Sequence, residues 1–292
     1  MMKKSKDLRI AVTGASGFVA QNTRHLLNNK DVKIYGISRK NFSNYKSEFK
    51  IISPEISLKE ISRKLKNCDA LIHLIGTGKQ TADSTYKLVN LDLTKKIILL
   101  CKKSKIKKIV YISGLGVSNN SISLYFTSKY NAEQEIINSG LDYTILRASY
   151  IIGKNDPLTV NLKNQIKTGK IIIPGEGNYH LQPIYINDVA EVIYNSVISK
   201  KFSNKILELV GPEKVAFKEF VNLFKGKRKI KIENIDLEQA YHTALKDPNS
   251  NYGIDDLNIM IGDFTGNHKQ LKQLSGLKFK KLREILQTSS LS

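Results

Sequence analysis

The apolar positions of this chain follow two alternating rhythms: short unbroken runs of strand type, and longer segments whose apolar residues recur at helical spacing. Ile10-Ala11-Val12 runs into Thr13-Gly14-Ala15-Ser16-Gly17, and Phe18 to Leu27 follows at helical period. That pattern predicts a strand, a tight glycine turn and a helix start. Further apolar runs predict strands at Val32 to Ile37, Phe49 to Ile52, Asp69 to Gly76, Lys108 to Ile112 and Tyr143 to Leu146. Between them, Leu58 to Leu65, Thr85 to Lys103 and Leu124 to Asn138 read as helices. The alternation predicts an α/β fold, a doubly wound parallel sheet with right-handed crossovers and a ligand lying across the carboxyl ends of its strands.

Past residue 155 the strict alternation ends. Leu158 to Lys167 and Val189 to Ile198 predict helices, Lys170 to Ile173 and Leu181 to Ile186 short strands, and Ile206 to Val210 a last strand returning to the main sheet. After Gly211 helices dominate, among them Phe217 to Phe224 and Leu282 to Leu286. The expected organisation is a first domain over residues 1–156, to which 187–210 returns, and a small, mostly helical lobe over 157–186 and 211–292.

Composition narrows the class without naming a function. A chain of 292 residues with 41% hydrophobic and 25% charged residues buries a full core and reads as an ordinary globular protein. Its net charge of +21 is high, but the lysines are scattered through nearly every segment, as on a solvated surface. The two dense runs, Lys102 to Lys108 and Lys225 to Lys231, lack interleaved aromatics for base stacking, which argues against a nucleic-acid site. Cys68 and Cys101 are the only cysteines, so neither a disulfide scaffold nor a zinc site is expected, and a reducing cytoplasmic setting fits. Lys3, Lys4 and Lys6 precede an apolar run, as in a signal peptide, yet Thr13, Gly14 and Ser16 break that run too early. No segment approaches the ~20 apolar residues of a membrane span.

The candidate chemistry lies at strand ends. Gly14 and Gly17 suit a turn in which a phosphate approaches the main chain and meets the first N–H groups of a helix, and Ala20 is the small residue that lets the helix pack closely. About twenty residues on, where an acidic side chain would grip the 2′-hydroxyl of NAD, stand Ser38, Arg39 and Lys40. Two cations there suit the extra phosphate of NADP; the alternative is two more solvated charges. Ser113 sits just past a strand end, and Tyr125 and Lys129 share one helix face at i and i+4. An ammonium beside a phenol lowers its pKa and makes it a usable acid/base. The same spacing recurs at Tyr150 and Lys154, but on a loop.

Taken together, Thr13-Gly14-x-x-Gly17, the Asp69-x-x-Ile72-His73-Leu74 strand, Asn90, Ser113 and Tyr125-x-x-x-Lys129 resemble the short-chain dehydrogenase/reductase superfamily, whose core is a Rossmann domain. Leu141 to Ala148, Gly153, Gly175-x-Gly177 and Gln182 to Ala190 are similar to its extended and atypical branches, which include epimerases, dehydratases and the nucleotide-binding accessory subunit of respiratory complex I. The segments Asn251 to Leu257 and Gly262 to Gly266 resemble the tail of that last group. The similarity spans nearly the whole chain and is strongest from residue 8 to 195.

The resemblance implies that Tyr125 is the catalytic acid/base, that Lys129 also holds the nicotinamide ribose and that Ser113 polarises a substrate carbonyl. It implies a cofactor site lined by Gly14, Ser16, Gly17, Phe18 and Val19, by Arg39 and Lys40, by Leu74, Ile75 and Gly76, and by Ala148. The cofactor expected is NADP, with NAD as the alternative; the substrate is an unidentified small molecule held under the second lobe. Three positions depart from the family pattern: Ala148 replaces the usual proline after Arg147, Ser53-Pro54 replaces an acidic residue after the third strand, and the span from Ser113 to Tyr125 is short for a sugar epimerase. Among the remaining polar residues, Asn90 reads as ordering a water near the site or as a local cap, and His73 as a hydrogen-bonded core residue. Asp188 reads as the N-terminal charge or cap of the helix that follows, and Gln182 as a residue facing substrate or none. Two functions follow: an NADP-dependent oxidoreductase or epimerase/dehydratase, or a protein that holds NADPH without turnover, with association at a membrane periphery or a respiratory complex left open.

Overall fold

The computed structural model describes residues 8–81, 83–247 and 250–288, so Lys3, Lys4 and Lys6 lie outside the described residues. The first strand, β1 (Arg9–Thr13), and α1 (Phe18–Asn29) flank the glycine turn. They are followed by β2 (Lys33–Ser38), β3 (Glu48–Ile52), α2 (Leu58–Lys64) and β4 (Ala70–His73). Next come a π-helical segment (Lys87–Asp92), α3 (Leu93–Ser104), β5 (Lys108–Gly114), α4 (Leu124–Ile137) and β6 (Asp142–Ala148). The second half contributes β7 (Ile151–Ile152), α5 (Pro157–Lys167), β8 (Lys170–Pro174), β9 (His180–Leu181), β10 (Ile184–Tyr185), α6 (Ile186–Ile198) and β11 (Lys205–Leu209).

Seven strands form one parallel sheet in the order β11-β6-β5-β4-β1-β2-β3. The order reverses beside β1, so the β1 and β4 carboxyl ends open the crevice in which doubly wound sheets hold ligands. Strand alternation divides the apolar side chains between two faces. Ala11, Leu71, Ile109 and Ile145 pack with residues of α2, α3 and α4, whereas Ile10, Ile72, Val110 and Leu146 pack with residues of α1, α6 and the C-terminal segments. With both faces covered, the central strands are nearly continuous apolar runs, which is why they stand out in the sequence.

The C-terminal part comprises β12 (Val215–Ala216), α7 (Phe217–Lys225), β13 (Lys231–Ile235), α8 (Leu237–Lys246), α9 (Ile254–Ile261), α10 (His268–Ser275) and α11 (Leu282–Leu286). It is less purely helical than its pattern predicts. β13, lying in part within the lysine run, pairs in parallel with β8, and β12 pairs antiparallel with β9. Asp188 keeps its expected place as an acidic charge at the start of α6 but does not cap it. It lies inside the first turn of α6 and accepts a hydrogen bond from the Lys280 amide at 2.9 Å, fastening the C-terminal segment to the main body. Gln182 is likewise occupied: its amide nitrogen donates to the Gly211 carbonyl at 2.9 Å, and its oxygen accepts from the Gly266 amide at 2.8 Å. With both amide ends so engaged, the residue ties three segments together rather than facing a substrate. No helix among the described residues is long and apolar enough to cross a membrane.

Candidate active site

Gly14 adopts φ +71, and a side chain there would press within 3.1 Å of the Leu74 main chain, so glycine is required by both backbone and space. The Gly17 amide closes the turn on the Gly14 carbonyl at 2.8 Å, and Gly17 becomes the N-cap of α1. No side chain caps α1, and its first turn holds no acidic residue. Its opening amides and the positive end of its dipole are therefore suited to an anion such as a pyrophosphate. At the end of β2, Ser38 Oγ is 3.0 Å from Ser16 Oγ, joining the turn to the strand that precedes the exposed Arg39 and Lys40.

A buried ion pair, not anticipated from the sequence, braces this end. Arg24 of α1 is 2% exposed and reaches both carboxylate oxygens of Glu48 on β3 at 2.6 Å. The same guanidinium donates to the Ala15 carbonyl at 2.8 Å and the Ser43 carbonyl at 2.7 Å, and it lies over the Phe42 ring. One side chain thus links the glycine turn to the loop that follows Lys40.

At the other end, a cavity of about 390 Å³ opens along the carboxyl ends of β5 and β6. Phe18 and Val19 of α1, Ser113, Tyr125, Lys129 and Ala148 all line it. Ser113 belongs to β5 itself, since the strand runs through Gly114; its buried hydroxyl has no hydrogen-bond partner among the described residues. A buried polar atom without a partner costs stability unless something binds it, so this hydroxyl fits a bound oxygen. Gly76 lies across the site, where a Cβ would come within 3.0 Å of Lys129 Nζ. Leu74 and Ile75 lead into that turn from β4, while Arg39, Lys40, Ser16, Gly14 and Gly17 lie at the opposite end, around the glycine turn.

Lys129 and Tyr125 do not form the acidified pair that their spacing predicts. Lys129 Nζ donates instead to the Tyr111 hydroxyl and the Ile112 carbonyl, each at 3.2 Å. Burial pushes the Tyr125 phenol up to about 12, and the Asp255 and Asp256 carboxylates push in the same direction. Burial also pulls the Lys129 ammonium down to about 8, against the opposing pull of Glu133. The phenol is neutral near pH 7, which makes it a proton donor rather than a base.

Several residues of the site carried no functional reading. Tyr86, which precedes the π-helical segment, hydrogen-bonds Asp255, and Ser123 donates to the same carboxylate at 3.3 Å. Phe264 packs edge-on to Phe126 with ring centroids 5.2 Å apart, closing the cavity from the C-terminal side. The motifs around Tyr252 and Phe264 were visible as tail signatures, but only folding brings them over β5. Tyr150, whose spacing to Lys154 is incidental, also lines the cavity, and burial raises its pKa strongly. Asn90 is a structural tie: its carbonyl oxygen accepts from the Thr77 amide at 3.0 Å, and its amide nitrogen donates to Ser128 on α4 at 3.0 Å. His73 is a core residue held between Thr13 and Thr94 at 2.8 and 3.0 Å.

The comparison with known sequences decides the family. A family described as NAD(P)H-binding matches residues 14–199. This chain belongs to that family. It is 30% identical over 165 residues to the mitochondrial NADH dehydrogenase [ubiquinone] 1 alpha subcomplex subunit 9 of Arabidopsis thaliana, covering 54% of this chain and 40% of that protein. It is 26% identical over 213 residues to the uncharacterized sugar epimerase YhfK of Bacillus subtilis, covering 69% and 94% respectively. It is 27% identical over 252 residues to a putative UDP-glucose 4-epimerase of Methanocaldococcus jannaschii, covering 74% and 81%. Among solved structures, MoeE5 in complex with UDP-glucose and NAD superposes with a TM-score of 0.77 at 17% identity, covering 97% of each chain, a likeness of fold. The family therefore holds NAD(P), and the uncapped amides of α1 fit that cofactor.

Proposed function

We propose that this protein is an NADP-dependent oxidoreductase that reduces a carbonyl compound, with Ser113, Tyr125 and Lys129 as its working residues. The observation that carries this reading is the convergence of all three on one cavity beside α1, with the Ser113 hydroxyl buried and unpartnered. The amides opening α1 hold the pyrophosphate, Arg39 and Lys40 hold the 2′-phosphate, and Leu74, Ile75, Gly76 and Ala148 line the path to the cavity. Bound NADPH supplies the hydride. Ser113 donates a hydrogen bond to the substrate carbonyl oxygen and fixes its orientation. Tyr125, neutral because of burial and its acidic neighbours, gives the proton to that oxygen as it becomes an alkoxide. Lys129, held by Tyr111 and Ile112, keeps a positive charge in the same wall, and its field at a distance, not a direct contact, favours the phenolate left behind.

NADPH consumption with a panel of aldehydes and ketones tests this reading. Turnover that Tyr125→Phe abolishes while NADPH binding survives supports it. A protein that binds NADPH tightly and reduces no member of the panel is instead a holder of the nucleotide. That second reading draws on one observation: Lys129 is engaged by Tyr111 and Ile112, leaving the phenol without an ammonium partner. It also draws on the kinship with the respiratory subunit of Arabidopsis thaliana.

A further inference from the structure

We infer that the cavity accepts a small, uncharged and largely apolar carbonyl compound and turns away nucleoside-diphosphate sugars. This rests on the oxidoreductase reading and names the substrate class of the same site. The chain carries 47 lysines and arginines, yet among the described residues the cavity wall holds no arginine and only one lysine, Lys129. Both cationic candidates in the wall are already engaged. Lys129 donates to Tyr111 and Ile112, and His180 at the rim lies 3.0 Å from the Asp263 carboxylate.

A diphosphate needs several cationic donors to offset the loss of its hydration, and Arg is the usual means because its planar fork matches phosphate oxygens. Here the wall offers the opposite sign. Asp256 lines the cavity, and so does Asp156, whose carboxylate caps α5 through the Thr159 amide at 2.8 Å. Asp256 also influences Tyr125, Tyr150 and Tyr252, so its field reaches across the site. A second anion brought into this space meets like charge.

Size and lining agree with charge. The cavity of about 390 Å³ must also admit the reacting end of the cofactor, since Phe18, Val19 and Ala148 belong to its wall. The rest of the wall is built largely from Leu115, Tyr150, Tyr252, Ile259, Met260 and Phe264, side chains that favour an apolar body. Tyr150 and Asp256 remain as hydrogen-bonding groups for one polar substituent.

Calorimetry on the full chain saturated with NADP, using benzaldehyde, cyclohexanone, 4-carboxybenzaldehyde and UDP-glucose as probes, tests the inference together with NADPH oxidation by the three carbonyl compounds. The expected result is binding of a neutral probe, no binding of UDP-glucose, and a disadvantage for 4-carboxybenzaldehyde against benzaldehyde of roughly tenfold or more in affinity or kcat/KM. Asp256→Asn should narrow that ratio; a variant that fails to fold leaves the parent ratio as the deciding number. Binding of UDP-glucose, equal treatment of the two benzaldehydes, or failure of both neutral probes to bind overturns the inference. Neutral probes that bind but are not reduced leave the inference standing and remove the oxidoreductase reading, so the two fail separately.

Discussion

Lys129 Nζ lies 3.2 Å from the phenolic oxygen of Tyr111, a buried residue of β5, and 3.2 Å from the carbonyl oxygen of Ile112. Burial holds its ammonium at about 8, so the charge is present at neutral pH and lost just above it. Carbonyl reduction should accordingly be level on the acid side and decline as pH rises through about 8. Lys129→Met should lower kcat/KM by roughly 10²-fold and erase that alkaline limb. A limb that persists in the variant belongs to another group.

Cofactor preference should follow Arg39 and Lys40, which stand exposed where an acidic residue would select NAD. NADPH should bind more tightly than NADH, and replacing both cations by alanine should weaken NADPH by roughly tenfold or more while sparing NADH. Titration calorimetry with the two nucleotides reads this directly. Equal affinities in the parent protein would make the two side chains ordinary surface charge.

Gly14→Ala should strike cofactor binding and stability together. The position combines φ +71 with a main-chain wall at 3.1 Å, and neither the turn nor Leu74 has room to adjust cheaply. The backbone strain alone costs about 1–2 kcal/mol. Thermal unfolding and NADPH titration of the variant check it; a variant with parent affinity would mean that the turn does not meet the phosphates.

His73 should make the fold acid-sensitive. Burial, with the Lys129 charge nearby, pushes its pKa from 6.5 down to about 3, so the unfolded chain binds a proton there that the folded chain refuses. Stability therefore falls as pH drops below about 6.5 and continues to fall toward about 3. The slope from this group is roughly 1.4 kcal/mol per pH unit within that window. Urea midpoints at about pH 7 and about pH 5.5 should separate less for His73→Gln than for the parent protein. Equal separations would place the acid sensitivity elsewhere.

The sheet was legible because its central strands are buried on both faces, so Ile10 to Val12, Leu71 to Ile72 and Ile109 to Tyr111 read as unbroken apolar runs. The glycine turn and the helix bearing Tyr125 and Lys129 were legible for a related reason: local rules of turn and period act within a few residues. What escaped depends on distance along the chain. Tyr86 and Asp255 meet only after the C-terminal part folds over the sheet, and nothing in either local sequence signals the contact. The direction of Lys129 escaped too, because spacing on a helix gives a shared face but not the competing acceptors that β5 offers. The π-helical turn at Lys87–Asp92 was read as ordinary helix, since its period differs only slightly from the helical one over so short a span.

The Arg24–Glu48 pair is the feature most dependent on the completed fold, and its removal gives the sharpest stability prediction. Both side chains are buried, and the guanidinium joins the carboxylate to the Ala15 and Ser43 carbonyls. Glu48→Ala leaves that cation buried without its counter-ion, a change that typically costs about 3–5 kcal/mol. Replacing both partners with apolar residues, Arg24→Met with Glu48→Leu, removes the stranded charge and should recover part of the loss. Because Arg24 also steadies the glycine turn proposed to meet the cofactor's phosphates, the double variant should regain stability more fully than NADPH affinity. Denaturant midpoints and nucleotide titrations on the parent, single and double variants separate the two effects. A Glu48→Ala protein within about 0.5 kcal/mol of the parent would show that solvent reaches the guanidinium, and would end the case for this brace.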